Sequence, residues 1–188
     1  KAIGVKTWEL TGGGDPLLYP NLTLLLSELH RRDFAVGIMT NGLALDRLEN
    51  PEFLRWIRIS LHSGEETWRQ LAENVAAISS RVKVTFAYTV TLDNMDQLPA
   101  LFPIAAWFKW TVKVEPDWFA IRDRMFRHEL AKLLDGQERV FLDPVVSSTG
   151  RTSRACYLHL IKPFLYTDGW LYPCACAIEG RRDVQEDL

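Results

Sequence analysis

Trp8-Glu9-Leu10-Thr11-Gly12-Gly13-Gly14-Asp15-Pro16 runs from a short apolar stretch into three consecutive glycines, an acid and a proline. Glycine has no Cβ, so it accepts positive φ and lets other groups approach the main chain. Clustered glycines at a strand end therefore expose backbone N–H and C=O groups to a ligand. The stretch reads as a strand followed by a floor for something small and polar. A strand-to-helix turn with no ligand would satisfy the same residues, so the rest of the chain has to decide between the two.

Working outward, Asn21 can cap a helix in which Leu22, Leu25, Leu26 and Leu29 recur at helical spacing, closing on His30, Arg31 and Arg32. Phe34 to Met39 is a buried strand ending in the turn signal Thr40-Asn41-Gly42, and a short helical piece is expected over Pro51 to Arg55. Trp56 to Ser63 is a strand with Ser60 and His62 near its C-terminal end. Ser63 and Glu66 form a capping box ahead of a helix carrying Trp68, Leu71, Val75 and Ile78. From Val82 to Leu92 apolar residues alternate with Lys83, Thr85, Ala87, Thr89 and Thr91, which has the period of a strand, and Asp93-Asn94 ends it. Met95 to Trp107 reads as a weaker helix interrupted near its start by Pro99, and Trp110 to Glu115 as a further short strand. Arg122 to Leu134 reads as an amphipathic helix through Met125, Phe126, Leu130, Leu133 and Leu134.

This alternation of strand and helix, repeated about five times, predicts an α/β fold: a parallel sheet with helices outside it, as a barrel or an open wound sheet. In both architectures the ligand site lies at the C-terminal ends of the strands. Those ends carry Gly12 to Asp15, Thr40 to Gly42, Ser60 to His62 and Asp93-Asn94, so small and hydrogen-bonding residues converge on one rim. Each is weak evidence alone, since T-N-G is commonly a bare turn and His62 commonly structural. Their joint placement is the signal. The polar break Ser147 to Arg154 marks a boundary between an α/β part, 1–146, and a tail, 147–188, that holds Cys156, Cys174 and Cys176.

Composition narrows the function classes. A chain of 188 residues with 47% hydrophobic and 24% charged residues can bury a sizeable core. A net charge of −2 gives no electrostatic reason to expect nucleic acid or an acidic membrane as partner. Apolar runs such as Leu101 to Phe108 are too short to span a bilayer and no signal peptide opens the chain, which predicts a soluble, cytoplasmic protein. Lys1 precedes the first strand almost directly, so a segment of a longer protein is expected. Three cysteines confined to the tail suit a metal better than a disulfide scaffold.

The order G-G-[acid]-P after the first strand, T-N-G after the second and R-I-S-L-H in the third resembles the radical S-adenosylmethionine superfamily. The resemblance implies a partial (β/α)6 TIM-like barrel comprising strands two to six, with a small Cys-containing C-terminal extension. It also implies that Gly13-Gly14-Asp15-Pro16 corresponds to the motif that hydrogen-bonds the methionyl amino group of the cofactor S-adenosylmethionine, that Ser60 lies near its ribose, and that Thr40 and Asn41 lie close to the site; Gly12, His62 and Asn94, on the same rim, join them as cofactor-binding candidates. The family's C-x-x-x-C-x-x-C loop, which holds the catalytic [4Fe-4S] cluster, is absent between Lys1 and Leu188; the family places it after a preceding strand, which truncation would remove. Glu is usual in the family where this chain has Asp15.

The tail looks like the opening of a SPASM or twitch extension, in which Cys156, Cys174 and Cys176 would bind an auxiliary iron–sulfur cluster. Thiolates are the preferred ligands of such clusters, and a hairpin turn at Asp168-Gly169 between Phe164-Leu165-Tyr166 and Trp170-Leu171-Tyr172 would return Cys174 toward Cys156. Zinc on the three cysteines and His159, or buried unligated cysteines, stay open as alternatives. By the same resemblance the intact protein would abstract hydrogen with a 5′-deoxyadenosyl radical, take electrons from a donor such as a flavodoxin or ferredoxin, and act on a peptide or small-molecule substrate. A non-catalytic cofactor- or metal-binding α/β module is the competing expectation. An open barrel would also expose a strand edge, so the isolated segment is expected to be poorly soluble or to associate.

Overall fold

The computed structural model describes residues 4–62, 64–117, 120–142, 164–165 and 170–172. The chain divides into two units, Lys1–Ser147 and Ser148–Leu188. In the first, six strands pair in parallel in the order of the chain: β1 (Thr7–Leu10), β2 (Ala35–Thr40), β3 (Trp56–Leu61), β4 (Lys83–Val90), β5 (Val112–Pro116) and β6 (Val140–Leu142). Four helices intervene, α1 (Leu22–Arg31), α2 (Glu65–Ile78), α3 (Leu98–Trp107) and α4 (Arg124–Leu134). The β2–β3 crossover carries two 3-10 turns instead, Leu45–Arg47 and Pro51–Phe53.

The strand order narrows the architectures left open by the sequence. Parallel crossovers are right-handed almost without exception, so a chain that always steps to the next strand in one direction lays all its helices on one face. A doubly wound sheet needs a reversal of strand order, and none occurs here. The sheet is therefore singly wound, with β1 and β6 as its two edges. The sequence reading expected five strands. β6 was missed because three residues, Val140-Phe141-Leu142, are too short to show alternation.

The helices and one face of the sheet share a core. Val36 and Ile38 of β2, Ile57, Ile59 and Leu61 of β3, Phe86, Tyr88 and Val90 of β4, and Val112 and Val114 of β5 are buried against Leu22, Leu26, Leu71, Val75, Leu101, Ile104, Phe126 and Leu130. Trp68 meets the Tyr88 ring edge-on at 5.8 Å, and Phe86 stacks on Trp110 at 4.0 Å. Side chains alternate across a strand, so the opposite face carries the other set: Glu9, Gly37, Met39, Trp56, Arg58, Ser60, Thr85, Ala87, Thr89, Lys113 and Glu115. That face sets polar and charged residues among Met39, Trp56 and Ala87; most of them are half-buried, and Gly37 and Ala87 are buried.

Several local expectations change. Helix α2 is capped by Gly64 without a side-chain bond, and Ser63, the proposed capping residue, lies outside the described residues. Asn21 is the N-cap of α1, yet its side chain makes no capping bond. Pro99 does not interrupt its helix; it stands in the first turn of α3, where a missing N–H costs nothing, behind a 3-10 turn Met95–Gln97. Met125 is 67% exposed rather than packed, because α4 begins at Arg124, where the Asp123 carboxylate accepts bonds from the amides of Met125 and Phe126. Both α1 and α3 end in a Schellman motif built on a non-glycine residue in the left-handed region. Asp33 (φ 58°) follows α1, with the amide of Phe34 bonded to the carbonyl of Leu29; Lys109 (φ 55°) follows α3, with the amide of Trp110 bonded to the carbonyl of Ala105.

In the second unit, β7 (Phe164–Leu165) pairs antiparallel with β8 (Leu171–Tyr172), Phe164 opposite Tyr172. The hairpin expected from the sequence is thus present in its strands, while its turn residues Asp168 and Gly169 lie outside the described residues. So do Cys156, His159, Cys174 and Cys176.

Candidate functional site

The rim at the C-terminal ends of β1 and β2 is held by one carboxylate. Asp15 caps the 3-10 turn Pro16–Leu18, where its Oδ1 accepts a bond from the amide of Leu17 at 2.9 Å. The hydroxyl of Thr40, the last residue of β2, donates to both Asp15 oxygens at 2.8 and 2.7 Å, and the amide of Asn41 donates to Oδ2 at 2.7 Å. Thr40 is 4% exposed and its oxygen in turn accepts from the amide of Gly42 at 3.0 Å. Asn41 closes the same turn by accepting the amide of Leu43 on its Oδ1 at 2.9 Å. Two adjacent strand ends are thereby locked together, and the side chains of Asp15 and Thr40 serve the fold.

The glycines above this clamp face outward. Gly12 (φ 151°) and Gly14 (φ 143°) use backbone conformations that side chains rarely adopt, and the amide of Gly14 donates to the carbonyl of Gly12 at 2.9 Å. A Cβ placed on Gly12, Gly13 or Gly14 would meet no atom of the described residues within 4 Å. Packing therefore does not explain three glycines in a row; the space beside their backbone is open to a ligand. Gly42 differs, since its φ is 76° and a Cβ there would come within 2.6 Å of Leu71 Cδ1.

Ser60 lies on the open face of β3 and is half-buried, while His62 is exposed just beyond the strand. Asn94 shapes the turn after β4: its Oδ1 accepts from the amide of Thr91 at 2.8 Å and its Nδ2 donates to the carbonyl of Thr89 at 3.0 Å. The Tyr88 hydroxyl donates to the Asn94 carbonyl at 3.3 Å. Burial, with a smaller push from the Asp96 carboxylate, raises the Tyr88 phenol above its ordinary value, so it remains a neutral donor.

Sequence reading missed a charged group on the open face, next to Ser60. Arg58 precedes Ser60 by two positions on β3, and Lys113 and Glu115 point to the same side from β5. Lys113 Nζ lies 2.6 Å from Glu115 Oε1, and Arg58 Nη1 lies 3.9 Å from the same oxygen. The other edge of the Arg58 guanidinium donates from Nη2 to the sulfur of Met39 at 2.8 Å, and its Nε is buried with no hydrogen-bond partner among the described residues. The signal was available in the polar phase of R-I-S and K-V-E, each set opposite an apolar phase. Among the described residues no group of three or more His, Cys, Asp or Glu is placed to hold a metal ion, and no helix is long and apolar enough to cross a membrane.

No protein-family model matches the chain, and no curated protein sequence matches it. Among solved structures it is similar to the crystal structure of archaeal TYW1, with 18% identity and a TM-score of 0.53 over 70% of this chain and 50% of that one. It is also similar to a structure of TYW1 with a lysine-pyruvate adduct bound, with 19% identity and a TM-score of 0.51 over 69% of this chain and 50% of that one. The chain spans about half the length of these structures, and a likeness at this identity is a likeness of fold.

Proposed function

We propose that this chain is the core of a radical S-adenosylmethionine enzyme. The observation that carries the reading is the Gly12–Gly14 backbone, open where any side chain would stand and tied through Asp15 to Thr40 and Asn41 at the neighbouring strand end. Such a strand-end loop fits the methionyl amino group of S-adenosylmethionine, which backbone carbonyls can accept. Likeness in fold to TYW1, a radical S-adenosylmethionine enzyme, supports it. When bound together with a reduced [4Fe-4S] cluster, S-adenosylmethionine supplies a 5′-deoxyadenosyl radical that takes hydrogen from a substrate.

The chain's own residues have separable tasks in this reading. Gly12 to Gly14 seat the cofactor, the Asp15–Thr40–Asn41 clamp keeps that seat rigid, and Ser60 lies beside the ribose. Residues 147–188 form a SPASM or twitch extension whose Cys156, Cys174 and Cys176 ligate an auxiliary cluster. A peptide substrate, a flavodoxin or ferredoxin as electron donor, and a cytoplasmic setting complete the proposal.

Gly13 offers a clean test, because its backbone is not left-handed and its Cβ position is open, so Gly13→Val should fold normally. Saturation-transfer NMR with S-adenosylmethionine is expected to detect binding to the wild-type chain, at least ten-fold weaker in Gly13→Val at an unchanged melting temperature. Equal binding by both, or none by the wild type, would overturn the cofactor site. Iron and sulfide content after anaerobic reconstitution, compared with Cys156→Ala and Cys174→Ala, tests the tail; zinc, or no metal, would remove the auxiliary cluster.

A further inference from the structure

Arg58 is incompletely satisfied in a way that identifies what it is built to meet. A guanidinium offers five N–H donors in a planar fork, and its Nε–Nη2 edge matches the two oxygens of a carboxylate. In this chain the far edge faces Glu115, with Nη1 3.9 Å from the carboxylate, whereas the fork edge has a thioether at Nη2 and, among the described residues, no partner at the buried Nε. A buried charged donor without an oxygen acceptor is a costly arrangement, and sulfur is a weak acceptor. Lys113, bonded to Glu115 at 2.6 Å, adds a second positive charge beside it, so the three groups together carry a charge of +1. Met39, in register with Arg58 on the adjacent strand, is unbranched with three rotatable bonds and can swing aside without moving the backbone.

We propose that the Nε–Nη2 edge of Arg58, covered by Met39 in the free protein, is a recognition site for a carboxylate carried by the substrate. It rests on the reading that the open face of the sheet is the enzyme's active-site bowl. Arg58 stands about 7 Å further from the rim than Ser60 along β3, so a bound carboxylate lies beneath the cofactor seat and anchors the substrate from below. An acidic side chain of a peptide has this chemistry. The methionyl carboxylate of S-adenosylmethionine shares it, and the experiment separates the two sources.

The probe is N-acetyl-aspartate amide, with N-acetyl-asparagine amide as its neutral isostere, titrated into the isotope-labelled chain while the Arg58 Nε–H resonance is followed. The expected result is a downfield shift of that resonance, with the acidic compound binding at least ten-fold more tightly than the amide. Arg58→Lys and Arg58→Gln, both checked for folding by circular dichroism, are expected to lose at least ten-fold, and Met39→Ala to tighten binding about three-fold by uncovering the fork. Binding unaffected by either Arg58 variant overturns the proposal, as does the lack of charge-selective binding in both the wild type and Met39→Ala. Loss of the aspartate signal when S-adenosylmethionine is saturating assigns the fork to the cofactor and also overturns it. If the aspartate compound binds through Arg58 while Gly13→Val leaves cofactor binding unaltered, the carboxylate site stands and the radical-enzyme reading falls.

Discussion

Replacing Asp15 by Ala removes an acceptor that serves three donors at once: the amide of Leu17, the hydroxyl of Thr40 and the amide of Asn41. Bonds to a charged acceptor contribute about 1.5–3 kcal/mol each, but Asp15 and Asn41 are half-buried and water can replace part of the loss at Asn41, whereas Leu17 is buried. Thr40 is buried, so its hydroxyl keeps most of the penalty. A net destabilisation of about 2–4 kcal/mol follows, which for a chain of this size lowers the melting temperature by roughly 5–12 °C. Asp15→Asn is the sharper variant. Each carboxylate oxygen accepts one main-chain N–H, so an amide must turn its NH2 group toward a donor whichever way it sits, and about half the loss is expected. Thermal unfolding by circular dichroism measures the size of the effect, and hydrogen exchange at Leu17 and Asn41 locates it. A melting temperature within about 1 °C of wild type for Asp15→Ala, or unchanged exchange at both amides, refutes the clamp.

Gly42→Ala combines a left-handed backbone with a Cβ 2.6 Å from Leu71 Cδ1, and should destabilise by about 1–3 kcal/mol in urea titration, with an unchanged slope. Lys109→Gly should do the opposite, stabilising by about 0.5–1 kcal/mol in the same assay, because Lys109 occupies at φ 55° the helix-terminating position that glycine prefers. Hydrogen bonds from Arg31 and Arg32 hold the Glu28 carboxyl at about 2, down from its ordinary 4.5. A depressed carboxyl stabilises the fold above the unfolded value and loses that contribution as pH falls, here from about 4.5 to about 2. The melting temperatures of wild type and Glu28→Gln should therefore differ at pH 7 and converge near pH 2, and a gap that stays constant across that range contradicts the assignment.

The parallel α/β winding was legible in the sequence because its signals are local. Period-two alternation in Val82–Leu92 and helical spacing in Leu22–Leu29 each need only one element to be read. The strand ends carrying Gly12 to Asp15 and Thr40 to Gly42 followed from the same reading, since in any parallel sheet the ligand edge is known once the strands are. The missed strand β6 and the misplaced Met125 fall at element ends, where two or three residues carry no period. What the order of residues could not express is which side chains meet across strands. That Asp15 spends its oxygens on a turn 25 residues away, that the indole of Trp56 fills the space a Cβ on Gly37 would need, and that Arg58, Lys113 and Glu115 come together on the open face all depend on register between strands distant in the chain. Register is set by packing the apolar face against the helices, a long-range event. The polar face is then determined as its complement, and residue spacing along one strand holds no record of the partner that the neighbouring strand brings alongside.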